Sequence, residues 1–210
     1  MTNYLWINPV SAALYEGDTL DLAVRNKGFL PVQCQENHIE IVREKYRKAI
    51  ARSSGCVVDM RCPMAAQYIK EKFDQPKLIF PDIHPILIHC ARELQKRYTE
   101  DGAVLTVTTP CASLKLLGES LGLPGTVFLT WNEFVKEHKI ALERKSLENS
   151  PIPPGFFDDF ERDVHTLASY QEFDAFFMEQ KHRDIKLVEA LYCEAGCHNG
   201  DGILEEVAAE

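Results

Sequence analysis

Cys62, Cys111, Cys193 and Cys197 are the side chains best placed to do chemistry in this sequence. Cys62 follows the apolar run CVVDM and precedes Pro63. Cys111 follows the β-branched run AVLTVTTP, and Cys193 follows IKLVEALY. Cys197 comes one short turn later, in CEAGCHNGDG. Four thiolates drawn to one place suit either a [4Fe–4S] cluster or a zinc ion, because both take four soft sulfur ligands. The small residues around the last pair let the backbone approach a bulky inorganic core, and backbone N–H groups there can tune its potential. The opposing reading is that a free cysteine is a small buried hydrophobe. Cys34, Cys56 and Cys90 fit that reading, since none has ligand-like spacing. His84, His89, His138, His165 and His182 form no H-x-x-x-H or H-E-x-x-H pattern and receive no ligand role.

Strand ends are what must gather the cysteines. In an α/β fold the carboxyl ends of parallel strands share one edge, and ligands bind there. The spacing predicts strands over Tyr4–Ile7, Cys56–Met60, Ala103–Thr108 and Val127–Thr130, and an apolar run at Ile185–Tyr192 that leads into the last cysteine pair. Helices are expected over Asp18–Asn26, Asn37–Ala51, Pro63–Phe73, Pro85–Tyr98, Ala112–Leu121 and Trp131–Arg144. Ser146–Phe157 carries three prolines and a glycine and reads as a linker or surface loop. Asp158–Glu179 reads as helical packing, and the tail GILEEVAAE as a fraying end. Alternating strands and helices imply α/β architecture with parallel strands. A length of 210 residues suits one domain over residues 1–210, or two lobes at 1–80 and 81–210.

Composition narrows the class. A net charge of −9 argues against a nucleic-acid partner, which would need clustered Lys and Arg, and is compatible with a basic redox partner protein. No apolar stretch is long enough for a membrane span, and the opening MTNYLWINPVSAALYEG has no secretion-signal pattern. An odd number of cysteines, seven, disfavours a disulfide framework and points to a reducing cytoplasm. Phosphate-loop, dinucleotide-binding, nucleophile-elbow and C-x-x-C motifs are absent. The oligomeric state has no signature in the sequence.

At these cysteines the chain resembles the catalytic domain of the iron-only ([FeFe]) hydrogenases, whose three motifs run roughly T-S-C-C-P, M-P-C-x-x-K and E-x-M-x-C-x-G-G-C-x-x-G. The corresponding segments are Asp59-Met60-Arg61-Cys62-Pro63, Thr109-Pro110-Cys111-Ala112-Ser113-Leu114 and the run from Glu189 to Gly200. WINPVSA at Trp6–Ala12, Gly28-Phe29 and FLTWNEF at Phe128–Phe134 extend the likeness over most of the chain. The resemblance implies a single hydrogenase-like domain of two parallel-stranded lobes, with a [4Fe–4S] cluster between them on Cys62, Cys111, Cys193 and Cys197. It also implies an anaerobic setting.

The departures fall on the diiron site. Arg61 stands where the family has a proton-shuttling cysteine, and an arginine keeps its proton at neutral pH. The second-motif lysine becomes Leu114, with Lys115 one residue late and turned about 100° around a helix. The third-motif methionine becomes Leu191, and His84-Pro85-Ile86 replaces a polar neighbourhood. A cluster-binding protein for electron transfer, redox sensing or iron–sulfur handling is therefore expected. A redox enzyme acting on a small substrate beside the cluster, or a true hydrogenase, is the alternative. Arg61 and His198 are the candidate residues beside the cluster: Arg61 either binds an anion or pairs with a carboxylate such as Asp59, and His198 either donates to cluster sulfur or is a loop histidine.

Overall fold

The computed structural model of the chain describes residues 2–16, 18–73, 75–160 and 163–204. The chain divides into two compact units: 1–36, 90–152 and 197–210 form the first, and 37–89 with 153–196 the second. Both are built from discontinuous segments, so the division is made by four chain crossings rather than by one boundary near residue 80. The tail from residue 205 onward, read as a fraying end, lies outside the described residues.

The first unit is a four-stranded sheet of β1 (Asn3–Trp6), β2 (Phe29–Pro31), β5 (Val104–Thr109) and β6 (Thr126–Thr130), in the order β2-β1-β5-β6. Every pairing is parallel, with Leu5 opposite Thr106 and Leu105 opposite Thr126. The helices α1 (Pro9–Ala13), α2 (Thr19–Asn26), α6 (Ala112–Ser120) and α7 (Trp131–His138) lie on the connections, as parallel strands require. β5 is β-branched and nearly all buried, which suits a strand covered on both faces. The buried Thr108 hydroxyl is satisfied internally: it donates to the Trp6 carbonyl and accepts from the Asn8 N–H. Leu5, Val10, Leu14, Trp131 and Phe134 make the core. α7 starts in a capping box between Thr130 and Glu133. It ends eight residues later, where Lys139 turns left-handed at φ 50°, so the helix expected to run on to Arg144 stops at His138.

The second unit holds β3 (Cys56–Val58), β4 (Leu78–Ile79), β7 (Val164–Leu167) and β8 (Leu187–Ala190), again all parallel, in the order β4-β3-β8-β7. The helices α3 (His38–Arg52), α4 (Pro63–Lys72) and α8 (Tyr170–Met178) accompany them. α5 (Ile86–Tyr98) begins in this unit and continues into the first. The stretch expected to be helical over Asp158–Glu179 is corrected to a strand followed by a shorter helix. Val164–Leu167 has an alternating, β-branched pattern and pairs with Leu187–Ala190. Glu172 then accepts from the N–H groups of Ala168 and Ser169, which fixes the helix start. Phe173, Phe176 and Phe177 pack with Ile69, Phe73 and Val188.

His182 is a weak point in this unit. The residue is 1 % exposed, and neither ring nitrogen has a hydrogen-bond partner among the described residues. Burial, reinforced by Arg183 and Lys77, pushes its pKa below the ordinary 6.5. The unfolded chain therefore takes up a proton before the folded unit does. This contribution to stability is intact above pH 6.5 and is lost as pH falls from there towards the depressed folded value. Denaturant midpoints measured at pH 7.5 and 5.5 should separate in the native chain and converge in His182→Phe; equal separation in both would place the acid sensitivity elsewhere.

Candidate metal centre

Each unit brings two of the four predicted cysteines to the carboxyl edge of its own sheet. In the second unit β3 ends at Val58, a short turn follows, and Cys62 is the residue that caps α4, with Pro63 in the first helical turn. β8 lies beside β3, with Val58 opposite Val188, so the chain leaving Ala190 towards Cys193 emerges at the same edge. The two segments meet directly: the Cys62 sulfur accepts N–H groups from Ala65, Tyr192 and Met64. Burial pushes the Cys62 thiol up and Asp59 adds to this, whereas the three N–H groups favour the thiolate. A sulfur approached by backbone donors is one whose ionised form those donors favour.

In the first unit β5 ends at Thr109, whose hydroxyl donates to the Cys111 carbonyl, and Cys111 caps α6 in extended conformation. Cys197 opens a short 3₁₀ turn ending at Asn199. Its loop is tied to the Cys111 loop at two points: the Gly202 N–H donates to the Pro110 carbonyl, and the Asp201 carboxylate accepts the Ala112 N–H. A Cβ on Gly200 would run into that same Pro110 carbonyl, and one on Gly202 would stand 3.0 Å from Pro110 backbone. Glycine at both positions is what lets the loops close on one another.

All seven cysteines carry free thiols, and Cys62, Cys111, Cys193 and Cys197 are all partly buried. Within each unit the two cysteine-bearing loops are held together, the Cys62 turn against Tyr192 beside Cys193 and the Cys111 turn against the loop after Cys197.

Arg61 takes the second of its two sequence readings. Its side chain is 7 % exposed and forms a fork on Asp59, with Nη2 2.7 Å from one carboxylate oxygen and Nε 3.1 Å from both. The same Nη2 lies 2.6 Å from Glu189, and the guanidinium stacks over Phe156 at 3.8 Å. Both carboxylates are fully buried. Asp59 also accepts from the Tyr46 hydroxyl, and Glu189 from the N–H groups of Gly155 and Phe156 and the Thr166 hydroxyl. Burial first, then Asp59, holds the Tyr46 hydroxyl protonated well above its ordinary range. The guanidinium is thus committed to the fold and is not offered to an anion.

Glu189 was missed as a functional residue; the signal available was a lone carboxylate inside the apolar run LVEALY. His198 is partly buried, and its Nδ1 has no partner among the described residues. Leu114 is packed in the first unit, and Lys115 is paired with Glu133 at 2.6 Å. Leu191 is buried. Cys56 is packed beneath α4, and burial raises its thiol to about 12. Cys34 and Cys90, which the sequence left apart, are hydrogen-bonded to each other.

No model of a known protein family matches the chain, and no curated protein matches it either. No helix among the described residues is long and apolar enough to cross a membrane.

Proposed function

We propose that the chain binds one [4Fe–4S] cluster through Cys62, Cys111, Cys193 and Cys197, as a member of the iron-only hydrogenase-like proteins that has lost the diiron site. The observation that carries this reading is the position of each cysteine at or just beyond the carboxyl end of a parallel sheet, two per unit, with backbone N–H groups already directed at the Cys62 sulfur. The family motif also has consecutive glycines before its last cysteine. Here Ala195 holds a left-handed φ of 56° and Gly196 a φ of 120°, the backbone that such a pair of glycines would adopt.

When bound, the cluster supplies one-electron redox chemistry. The protein's residues provide the thiolates and the N–H bonds that favour their ionised form. Electron transfer, redox sensing or iron–sulfur handling with a redox partner protein follows, in a reducing compartment such as the cytoplasm. Hydrogen production is disfavoured because Arg61 occupies the shuttle position and is bound to two carboxylates. A substrate-reducing enzyme is the weaker alternative for the same reason.

Anaerobically reconstituted protein, reduced with dithionite, should give the low-temperature paramagnetic resonance of a one-electron-reduced cubane. It should also evolve no hydrogen, even after exposure to a diiron cofactor. Hydrogen evolution under those conditions would restore the hydrogenase reading.

A further inference from the structure

Cys34 and Cys90 lie within the first unit, with Sγ atoms within 4.8 Å of each other. The contact is built rather than incidental. Cys90, Glu93 and Arg97 are spaced i, i+3 and i+7 on α5 and so share one face. The Glu93 carboxylate accepts the N–H groups of Gln35 and Glu36, and Arg97 donates to the Gln33 carbonyl. Arg97 and Glu93 are themselves paired at 2.7 Å. The loop is thereby clamped on both sides of Cys34, and the clamp holds one sulfur over the other. Cys90 is buried, whereas Cys34 is partly open to solvent. That is the arrangement of an attacking and a resolving thiol.

We propose that Cys34 and Cys90 are a reversible thiol–disulfide pair that reacts with low-molecular-weight disulfides such as glutathione disulfide. The Cys34 thiolate attacks one sulfur of the small disulfide. That S–S bond breaks, one small thiolate leaves, and a mixed disulfide remains on Cys34. Cys90 then gives its proton to solvent and attacks the Cys34 sulfur. The protein disulfide forms and the second small thiol departs. The two protein thiols lose two electrons, and the small disulfide gains them as two thiols. The S–H of Cys90 and the charge of Arg97 favour the Cys34 thiolate, while burial, Glu93 and Glu36 oppose it, and the balance lowers its pKa. Cys90, facing that thiolate, is pushed the other way, which keeps it protonated until the mixed disulfide removes the charge.

The bond would close a loop over residues 35–89, which contains the whole 37–89 segment of the second unit. The unfolded chain would be constrained far more than the folded one. Oxidation should therefore raise the thermal midpoint.

The full chain is incubated with glutathione disulfide, its remaining thiols are alkylated, and the peptides are mapped by mass. The expected product lacks two hydrogens and contains Cys34 linked to Cys90, at a yield near one link per chain. In Cys90→Ser the reaction should stop at a glutathione adduct on Cys34, again near one per chain. In Cys34→Ser both the link and the adduct should be lost. Links among other cysteines in preference to this one, or a glutathione adduct persisting on Cys34 in the native chain as it does in Cys90→Ser, would overturn the proposal.

Discussion

Cys62→Ser should not retain the cluster. After anaerobic reconstitution and gel filtration, the broad absorbance near about 400 nm that a cubane gives should fall roughly tenfold, with iron and sulfide falling together. Cys62 is the anchor of the second unit's pair: it is the N-cap residue of α4, and the backbone N–H groups of Ala65, Met64 and Tyr192, the last beside Cys193, favour its thiolate. A serine hydroxyl is a poor ligand for soft iron–sulfur chemistry, and its proton is far harder to remove than that of a thiol. The fold should survive, because a serine at a helix N-cap is favourable. Cys56→Ser is the control. Cys56 opens β3 and is packed under α4, away from the strand ends, where burial pushes its thiol up to about 12. That variant should keep its iron and lose about 1–3 kcal/mol of stability from burying a hydroxyl in an apolar site. Equal iron in Cys62→Ser and the native protein would remove Cys62 from the ligand set.

Arg61→Ala should be among the most destabilising single changes in the second unit, costing about 3–5 kcal/mol, the usual penalty for stripping the partner from a buried ion pair. Asp59 and Glu189 are both fully buried, and the guanidinium is the cation that bridges them. Its stacking on Phe156 and Phe157 is lost as well. Arg61→Lys should recover little, because an ammonium cannot make the fork to Asp59 and the contact to Glu189 at the same time. Removing the charges together, as Arg61→Met with Asp59→Asn and Glu189→Gln, should restore much of the loss, which marks the penalty as electrostatic. Urea denaturation followed by circular dichroism reads all three. A native midpoint for Arg61→Ala would mean that the network is not what holds the β3 and β8 strand ends together.

The strand-end positions of Cys62 and Cys111 were legible because each local pattern is short and complete: an apolar strand, a cysteine, then a helix opened by Pro63 or Ala112. The long helix at His38–Arg52 and the strand at Val104–Thr109 were legible for the same reason, since periodicity and β-branching decide them locally. The missed elements are those that only a partner defines. β2 is three residues including a proline, β4 is two residues, and α1 is five; none carries a periodic signal over that length. Val164–Leu167 became a strand because Leu187–Ala190 offers it an edge some twenty residues away in sequence. The Asp59–Arg61–Glu189 network was half visible. Asp59 is a neighbour of Arg61, but Glu189 is 128 residues distant and is held by Gly155, Phe156 and Thr166 from other segments. The Cys34–Cys90 contact was hidden likewise, because the clamp from Glu93 and Arg97 has meaning only once α5 and the loop after β2 are folded. Ser146–Phe157, read as a break, does contain one of the four crossings, at residues 152–153.

The central claim is that four thiolates of this chain hold one cubane, and the most direct test is metal and acid-labile sulfide analysis of protein purified and reconstituted without oxygen. About four iron and four sulfide per chain, as the cluster type requires, is the predicted result. One tightly held zinc per chain with no sulfide would contradict it.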